Sequence, residues 1–171
     1  TFENASSTKM VHISEFTADL IKHGKLELDP SRNDNKIVTF HDSCNPSRGM
    51  GMLDEPRYVI QNVVNNFFEM PANTIREQTF CCGSGAGLNA GENMELRMAG
   101  GFPRANAVKY VHEEFGVNML ACVCAIDRAA LPGRPVFVVA HADHGVVAGE
   151  RVGVEVEIGR HGVVEPVART F

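Results

Sequence analysis

Three short runs, each closing on cysteine, set the outline of this chain. KIVTFHD is β-branched and apolar and is followed, after Ser43, by Cys44. TIREQTF leads into Cys81 and Cys82, and VNMLACVC ends on Cys122 and Cys124. Each run has the length and composition of a short buried strand. Helical patterns lie around them. TADLIKHGKLEL carries helical spacing through Leu20 and Ile21 and ends near Gly24. EPRYVIQNVVNNFF repeats apolar residues at Val59, Ile60, Val63, Val64, Phe67 and Phe68, with Pro56 near its start. ENMELRMAGGFPRANAVKYVHEEFG predicts a helix interrupted at Gly100, Gly101 and Pro103 and resumed to Gly116. Strands alternating with helices imply right-handed crossovers and a mostly parallel sheet. The fold class is therefore α/β: a short, mostly parallel sheet with flanking helices. Ligands of such sheets collect beyond the carboxyl ends of the strands, and all five cysteines are expected there.

Composition removes several classes. With 44% hydrophobic and 22% charged residues, the 171-residue chain is in the globular range. A net charge of −5 gives no electrostatic footprint for nucleic acid. No apolar run approaches the ~18 residues of a bilayer span. The opening TFENASSTKMVHISEF lacks a basic start and an apolar h-region, so no signal peptide is predicted. It also lacks an initiator Met, and the chain is expected to be part of a longer polypeptide.

Five cysteines without a secretory signal are expected to be thiols or ligands rather than disulfides. They fall as a single and two pairs, a pattern of sites rather than of scattered core residues. Zinc usually draws on paired C-x₂₋₄-C units, and adjacent cysteines diverge too much to serve one ion well. They suit an object with several metal atoms, and iron–sulfur clusters are held by thiolates. The glycines after Cys82, Gly83 and Gly85 first, then let backbone N–H groups approach the sulfurs of an anionic cofactor. Gly85-Ala-Gly87-Leu-Asn-Ala90 also matches G-x-G-x-x-A, but no acidic residue closes a second strand about twenty residues on. No phosphate-loop lysine follows either, so nucleotide binding is set aside.

The ordered motifs HDSCN, FCCGSGAG and LACVCAIDRAALP resemble the CCG, or cysteine-rich, domain family, over roughly residues 10 to 132. That family spaces one Cys, Cys-Cys-Gly and Cys-x-x-Cys. Here Cys44 is followed by 36 residues, Cys81-Cys82-Gly83, 38 more, then Cys122-Val-Cys124. Its members include heterodisulfide reductase catalytic subunits and the iron–sulfur subunits of glycolate, lactate and glycerol-3-phosphate oxidation systems. Within it, CCGSGAGLNAGENMELRMAGGFPRANAVKYVHEEFGVNMLACVCAIDRA resembles the DsrK type of subunit, the heterodisulfide-reductase-like member of the membrane complex DsrMKJOP of sulfite reduction and sulfur oxidation. The resemblance implies a [4Fe-4S] cluster of non-cubane type held by Cys44, Cys81, Cys82, Cys122 and Cys124, with Gly83 and Gly85 in the binding loop. It implies a disulfide or trisulfide of a small DsrC-like sulfur-carrier protein as substrate. It also implies electron exchange with a membrane quinone pool through a DsrM-like cytochrome b-type subunit, and a cytoplasmic place on the inner face of the membrane through that complex. An electron-relay subunit of a hydroxy-acid oxidising system is the rival activity.

Two departures stand out. Cys-x-x-Cys is here Cys122-Val-Cys124, and if Cys124-Ala-Ile-Asp127 is aligned to it, Asp127 takes the second cysteine's place. The division of labour between Cys122 and Cys124 stays open. After residues 1–133, expected to form the cysteine-rich domain, residues 134–171 hold 11 valines and no Lys, Asn, Met, Leu or Ser. This tail is either a β element or an out-of-frame product. Around the cysteines, His41 and Asp42 are candidate proton donors; the plainer reading of His41 is a strand-end imidazole bonded to backbone. His112 is expected at the surface, and Met94 and Met98 in the core. Arg48, Arg97 and Arg104 are expected to be solvated or salt-bridged and receive no role.

Overall fold

The computed structural model describes residues 10–85, 93–130 and 136–138. Helix α1 (Ile13–Lys22) starts at a capping box, in which the His12 ring accepts the Ser14 N–H and Glu15 accepts the His12 N–H. It stops at His23, and Gly24 takes the left-handed turn (φ +62) expected near it. Strand β1 (Ile37–His41) follows, then a wide turn over Asn45–Gly49, helix α2 (Glu55–Val63) with Pro56 in its first turn, and the two-residue strand β2 (Asn66–Phe67). Two short 3₁₀ turns, Ala72–Thr74 and Arg76–Gln78, precede the cysteine pair. Helix α3 (Met94–Phe115) leads to β3 (Met119–Cys122), α4 (Ala125–Ala130) and β4 (Val136–Val138). Of the Val-rich tail, only β4 lies within the described residues.

All pairings are parallel, in the order β2-β1-β3-β4. The chain leaves β1 to one side for β2, then returns across it to β3. The order therefore reverses between β1 and β3, the crevice where parallel sheets bind ligands. The sheet alternates as its pleat requires. Val38, Phe40 and Ala121 pack with Ile60 of α2. Leu120 and Cys122 pack on the opposite face with Ala107, Val108 and Val111 of α3. His41 and Cys122 are register partners at the ends of their strands.

Four expectations are corrected. The helical stripe from Glu55 was expected to run to Phe68, but it ends at Val63. Val64 is extended, and the Phe68 N–H bonds the Val38 carbonyl of β1. A partner strand overrides the helical pattern, and Asn65 and Asn66 anchor the exit on Asp34. TIREQTF is no strand. Side chains take the backbone groups that a ladder would use: Asp42 accepts the Arg76 N–H at 2.7 Å, and Arg48 donates to the carbonyls of Glu77 (2.8 Å) and Thr79 (2.5 Å). Helix α3 is uninterrupted through Gly100, Gly101 and Pro103. The glycines serve contact: a Cβ on Gly101 would lie 2.8 Å from the Cys82 carbonyl oxygen. Met98 is exposed, against the expectation of a core residue. The Met94 side chain lies outside the described residues.

Candidate metal centre

The loop carrying the cysteine pair is gripped from three sides. Asp42 is buried, and both its oxygens accept from Arg57, at 2.7 and 2.8 Å. Its carbonyl accepts the Thr79 hydroxyl at 2.8 Å. That role removes Asp42 from the candidate proton donors: its carboxylate is bound to a guanidinium that stays charged. Arg104, expected at the surface or in a salt bridge, is fully buried and donates to the Thr74 carbonyl and to Thr79 Oγ1. Gly83 completes the anchorage at φ +89. A Cβ there would overlap the Arg97 carbonyl and approach Gly101 N to 2.9 Å. Only glycine combines that backbone conformation with that approach.

This anchorage sets Cys82 against the end of β3. Cys82 and Cys122 are buried, Cys124 is half-buried, and Cys44 and Cys81 are exposed. Asp127, in the first turn of α4, joins the parts. Its carboxylate accepts from the Cys82 thiol and the Ser43 hydroxyl and lies 3.5 Å from His41 Nε2. Burial pushes the Asp127 carboxyl up, but hydrogen bonds from His41, Cys82 and Ser43 outweigh it and hold the group below the usual range. Burial, then the hydrogen bond to Asp127, pushes the Cys82 thiol up to about 12. Burial and the Asp127 charge push Cys122 up as well, with Cys124 and Cys82 close enough to add to the effect. The His41 ring is 1% exposed and faces a carboxylate, not the backbone expected for it, and its Nδ1 has no partner among the described residues. His112 is at the surface as expected, its Nδ1 2.7 Å from the Val117 carbonyl.

Backbone N–H groups converge on the sulfurs. Gly83 N donates to Cys81 Sγ at 3.2 Å and Ser84 N to Cys82, and the Cys122 thiol donates to the Cys124 carbonyl at 3.8 Å. The Ser84 hydroxyl is buried with no partner among the described residues. Gly85 has open space where a side chain would stand. Among the described residues no three His, Cys, Asp or Glu side chains are grouped to hold one metal ion. The donor chemistry fits a larger thiolate-held group: several thiols from two loops, N–H groups aimed at sulfur, and an orphaned hydroxyl beside them. Cys44 opens the turn after β1, and its neighbour Ser43 ties that turn to Asp127.

Asp127 as the hub, and the two arginines behind the loop, are what sequence reasoning did not assign. For Asp127 the signal was present in Cys124-Ala-Ile-Asp127. For Arg57 and Arg104 none was, because a buried arginine reads like any other.

The CCG family of cysteine-rich domains matches residues 38–125. The chain is 57% identical over 122 residues to the "Hdr-like menaquinol oxidoreductase iron-sulfur subunit" of Archaeoglobus profundus, covering 71% of this chain and 22% of that protein. It is 43% identical over 84 residues to a subunit of the "Dihydromethanophenazine:CoB--CoM heterodisulfide reductase" of Methanosarcina mazei, covering 48% and 20%. It is 35% identical over 79 residues to "EtfAB:quinone oxidoreductase" of Syntrophomonas wolfei, covering 46% and 10%. The chain thus spans about a fifth of the length of the first two relatives. No solved structure matches it. No helix among the described residues is long and apolar enough to cross a membrane.

Proposed function

The chain belongs to the CCG cysteine-rich domain family, and from that premise we propose that it is the cluster-bearing domain of a heterodisulfide-reductase-like, DsrK-like subunit. That subunit is an oxidoreductase that reduces, or forms, a disulfide or trisulfide on a small DsrC-like sulfur carrier. It exchanges electrons with a membrane quinone pool through a DsrM-like cytochrome b-type subunit, and sits on the cytoplasmic face of the membrane through that complex. Relatives named as an Hdr-like menaquinol oxidoreductase iron–sulfur subunit and as part of a heterodisulfide reductase support both ends of this path. Cys44, Cys81, Cys82, Cys122 and Cys124 would hold a [4Fe-4S] cluster of non-cubane type, with Gly83 and Gly85 in its loop. When bound, such a cluster supplies single electrons and an iron at which a sulfur can bind.

The observation that favours a substrate-binding centre over a buried relay is the split of the thiols. Cys82 and Cys122 are buried, whereas Cys44 and Cys81 face solvent. One side of the site is thereby open to a partner's sulfur. The chain's own residues divide the remaining work. Arg57 and Asp42 fix the loop, the N–H groups of Gly83 and Ser84 steady the sulfurs, and His41, whose Nε2 faces Asp127, is the candidate proton donor to the departing thiolate.

The test uses the full-length subunit reconstituted anaerobically with iron and sulfide. About four irons are expected at this site, and Cys81→Ser or Cys82→Ser each abolish or rearrange the centre. Under oxidising conditions the thiol form of the carrier should generate a new EPR signal that broadens with a magnetic sulfur isotope. The carrier's Cys→Ser variant should give none. A spectrum indifferent to the carrier replaces the reductase reading with the electron relay of a hydroxy-acid oxidising system.

A further inference from the structure

Arg104 is the largest fully buried side chain among the described residues, at 0% exposure. Its contacts are all neutral. Nη1 lies 2.9 Å from Met70 Sδ, and Nη2 donates to the Thr74 carbonyl and, at 2.8 Å, to Thr79 Oγ1. The guanidinium carbon lies 5.8 Å from the Phe80 ring centroid, and Nε has no hydrogen-bond partner among the described residues. Arg57, the other buried arginine, is chelated by Asp42 and Glu69. Asp42 and Asp127 attract Arg104 from a distance, but Asp42 is committed to Arg57, and Asp127 to His41, Ser43 and Cys82. Burial lowers the Arg104 pKa to about 10, so the charge persists at neutral pH.

A buried charge without an ion in contact is costly, and folds keep one where an anion shares the low-dielectric space. The place fits. Arg104 stands one helical turn beyond Gly101, which packs on the Cys82 carbonyl, and it bonds Thr79, two residues before Cys81. A thiolate-held cluster is anionic, and each added electron makes it more so. We propose that Arg104 supplies the positive field behind the Cys81–Cys82 pair and raises the reduction potential of the iron–sulfur centre held there. This rests on the iron–sulfur reading above. Arg104 acts through space, as a positioning and tuning residue, and touches no substrate.

The test is a potentiometric titration, read by EPR, of the anaerobically reconstituted full-length subunit and three variants. Arg104→Gln removes the charge and keeps amide donors, Arg104→Lys keeps the charge, and Thr79→Val keeps the charge while removing one hydrogen bond. Arg104→Gln should lower the midpoint potential by about 59 mV, a tenfold change in the one-electron equilibrium, at unchanged iron content. Arg104→Lys and Thr79→Val should stay near the wild-type potential. An iron-loaded Arg104→Gln with wild-type potential overturns the inference. So does a Lys or Val variant whose potential falls by as much, which would make Arg104 a packing group and decides the matter even if Arg104→Gln fails to fold. Wild-type protein that takes up no iron overturns the iron–sulfur reading itself, and this inference with it.

Discussion

Gly100 and Gly101 are neighbours in one helix, yet alanine should act with opposite sign at the two positions. Glycine to alanine inside a helix stabilises by about 1 kcal/mol, through backbone entropy and propensity. At Gly100 nothing opposes that gain: the new Cβ would lie 3.8 Å from Gly83 Cα, an ordinary contact. At Gly101 the Cβ would stand 2.8 Å from the Cys82 carbonyl oxygen and 3.4 Å from its carbon. Both are backbone atoms and cannot rotate aside. Overpacking of this kind costs about 1–3 kcal/mol. Gly100→Ala should therefore raise stability by about 1 kcal/mol, and Gly101→Ala should fall below Gly100→Ala by about 1–3 kcal/mol. At about 2–4 °C per kcal/mol for a chain of this size, thermal or urea unfolding resolves the pair. Gly83→Ala is the severe case. A left-handed conformation costs a non-glycine residue about 1–2 kcal/mol, and the overlap with Arg97 and Gly101 adds about 1–3 kcal/mol. Equal shifts of the same sign at positions 100 and 101 would refute the close approach of α3 to the cysteine turn.

Asp42→Ala leaves the buried Arg57 guanidinium with partly exposed Glu69 and the Leu53 carbonyl, and should cost about 3 kcal/mol in urea unfolding, the low end for a broken buried pair; Asp42→Ala with Arg57→Met should recover part of it. The carboxyl of Asp127 is held below its ordinary value of 3.8, so its contribution is complete above that pH and disappears as pH falls through the lower folded value. The stability gap between the metal-free protein and Asp127→Asn should accordingly be constant near neutrality and close in acid unfolding below about pH 3.8. In metal-free protein at pH 8, iodoacetamide should label exposed Cys44 and Cys81 first and spare Cys82 and Cys122, which burial holds as thiols; peptide mass spectrometry reads the order.

The sequence by itself determined the local elements and the inventory of the site. The apolar run ending at His41 reads as a strand from its β-branched residues, and the run ending at Cys122 from its shortness and lack of a helical stripe. The place of Cys122 at the end of a strand, and of Cys44 and Cys124 just beyond strands, fixed which end of the sheet carries the chemistry. Only the tertiary structure decided what each remaining residue bonds to. Phe67 left its helical stripe because β1 offered it a ladder. Residues 75–80 became turns because Asp42 and Arg48, distant in sequence, claimed their backbone groups, and Arg104 took the Thr79 hydroxyl. Gly100 and Gly101 read as a break and proved to be a contact surface inside a continuous α3, and Arg104 read as solvated or salt-bridged and lies fully buried behind the cysteine loop. The physical reason is common to all four. Periodicity and turn chemistry act within a few residues and are written locally. The partner of a buried carboxylate, guanidinium or bare backbone is chosen by folding, and short patterns carry no address for it.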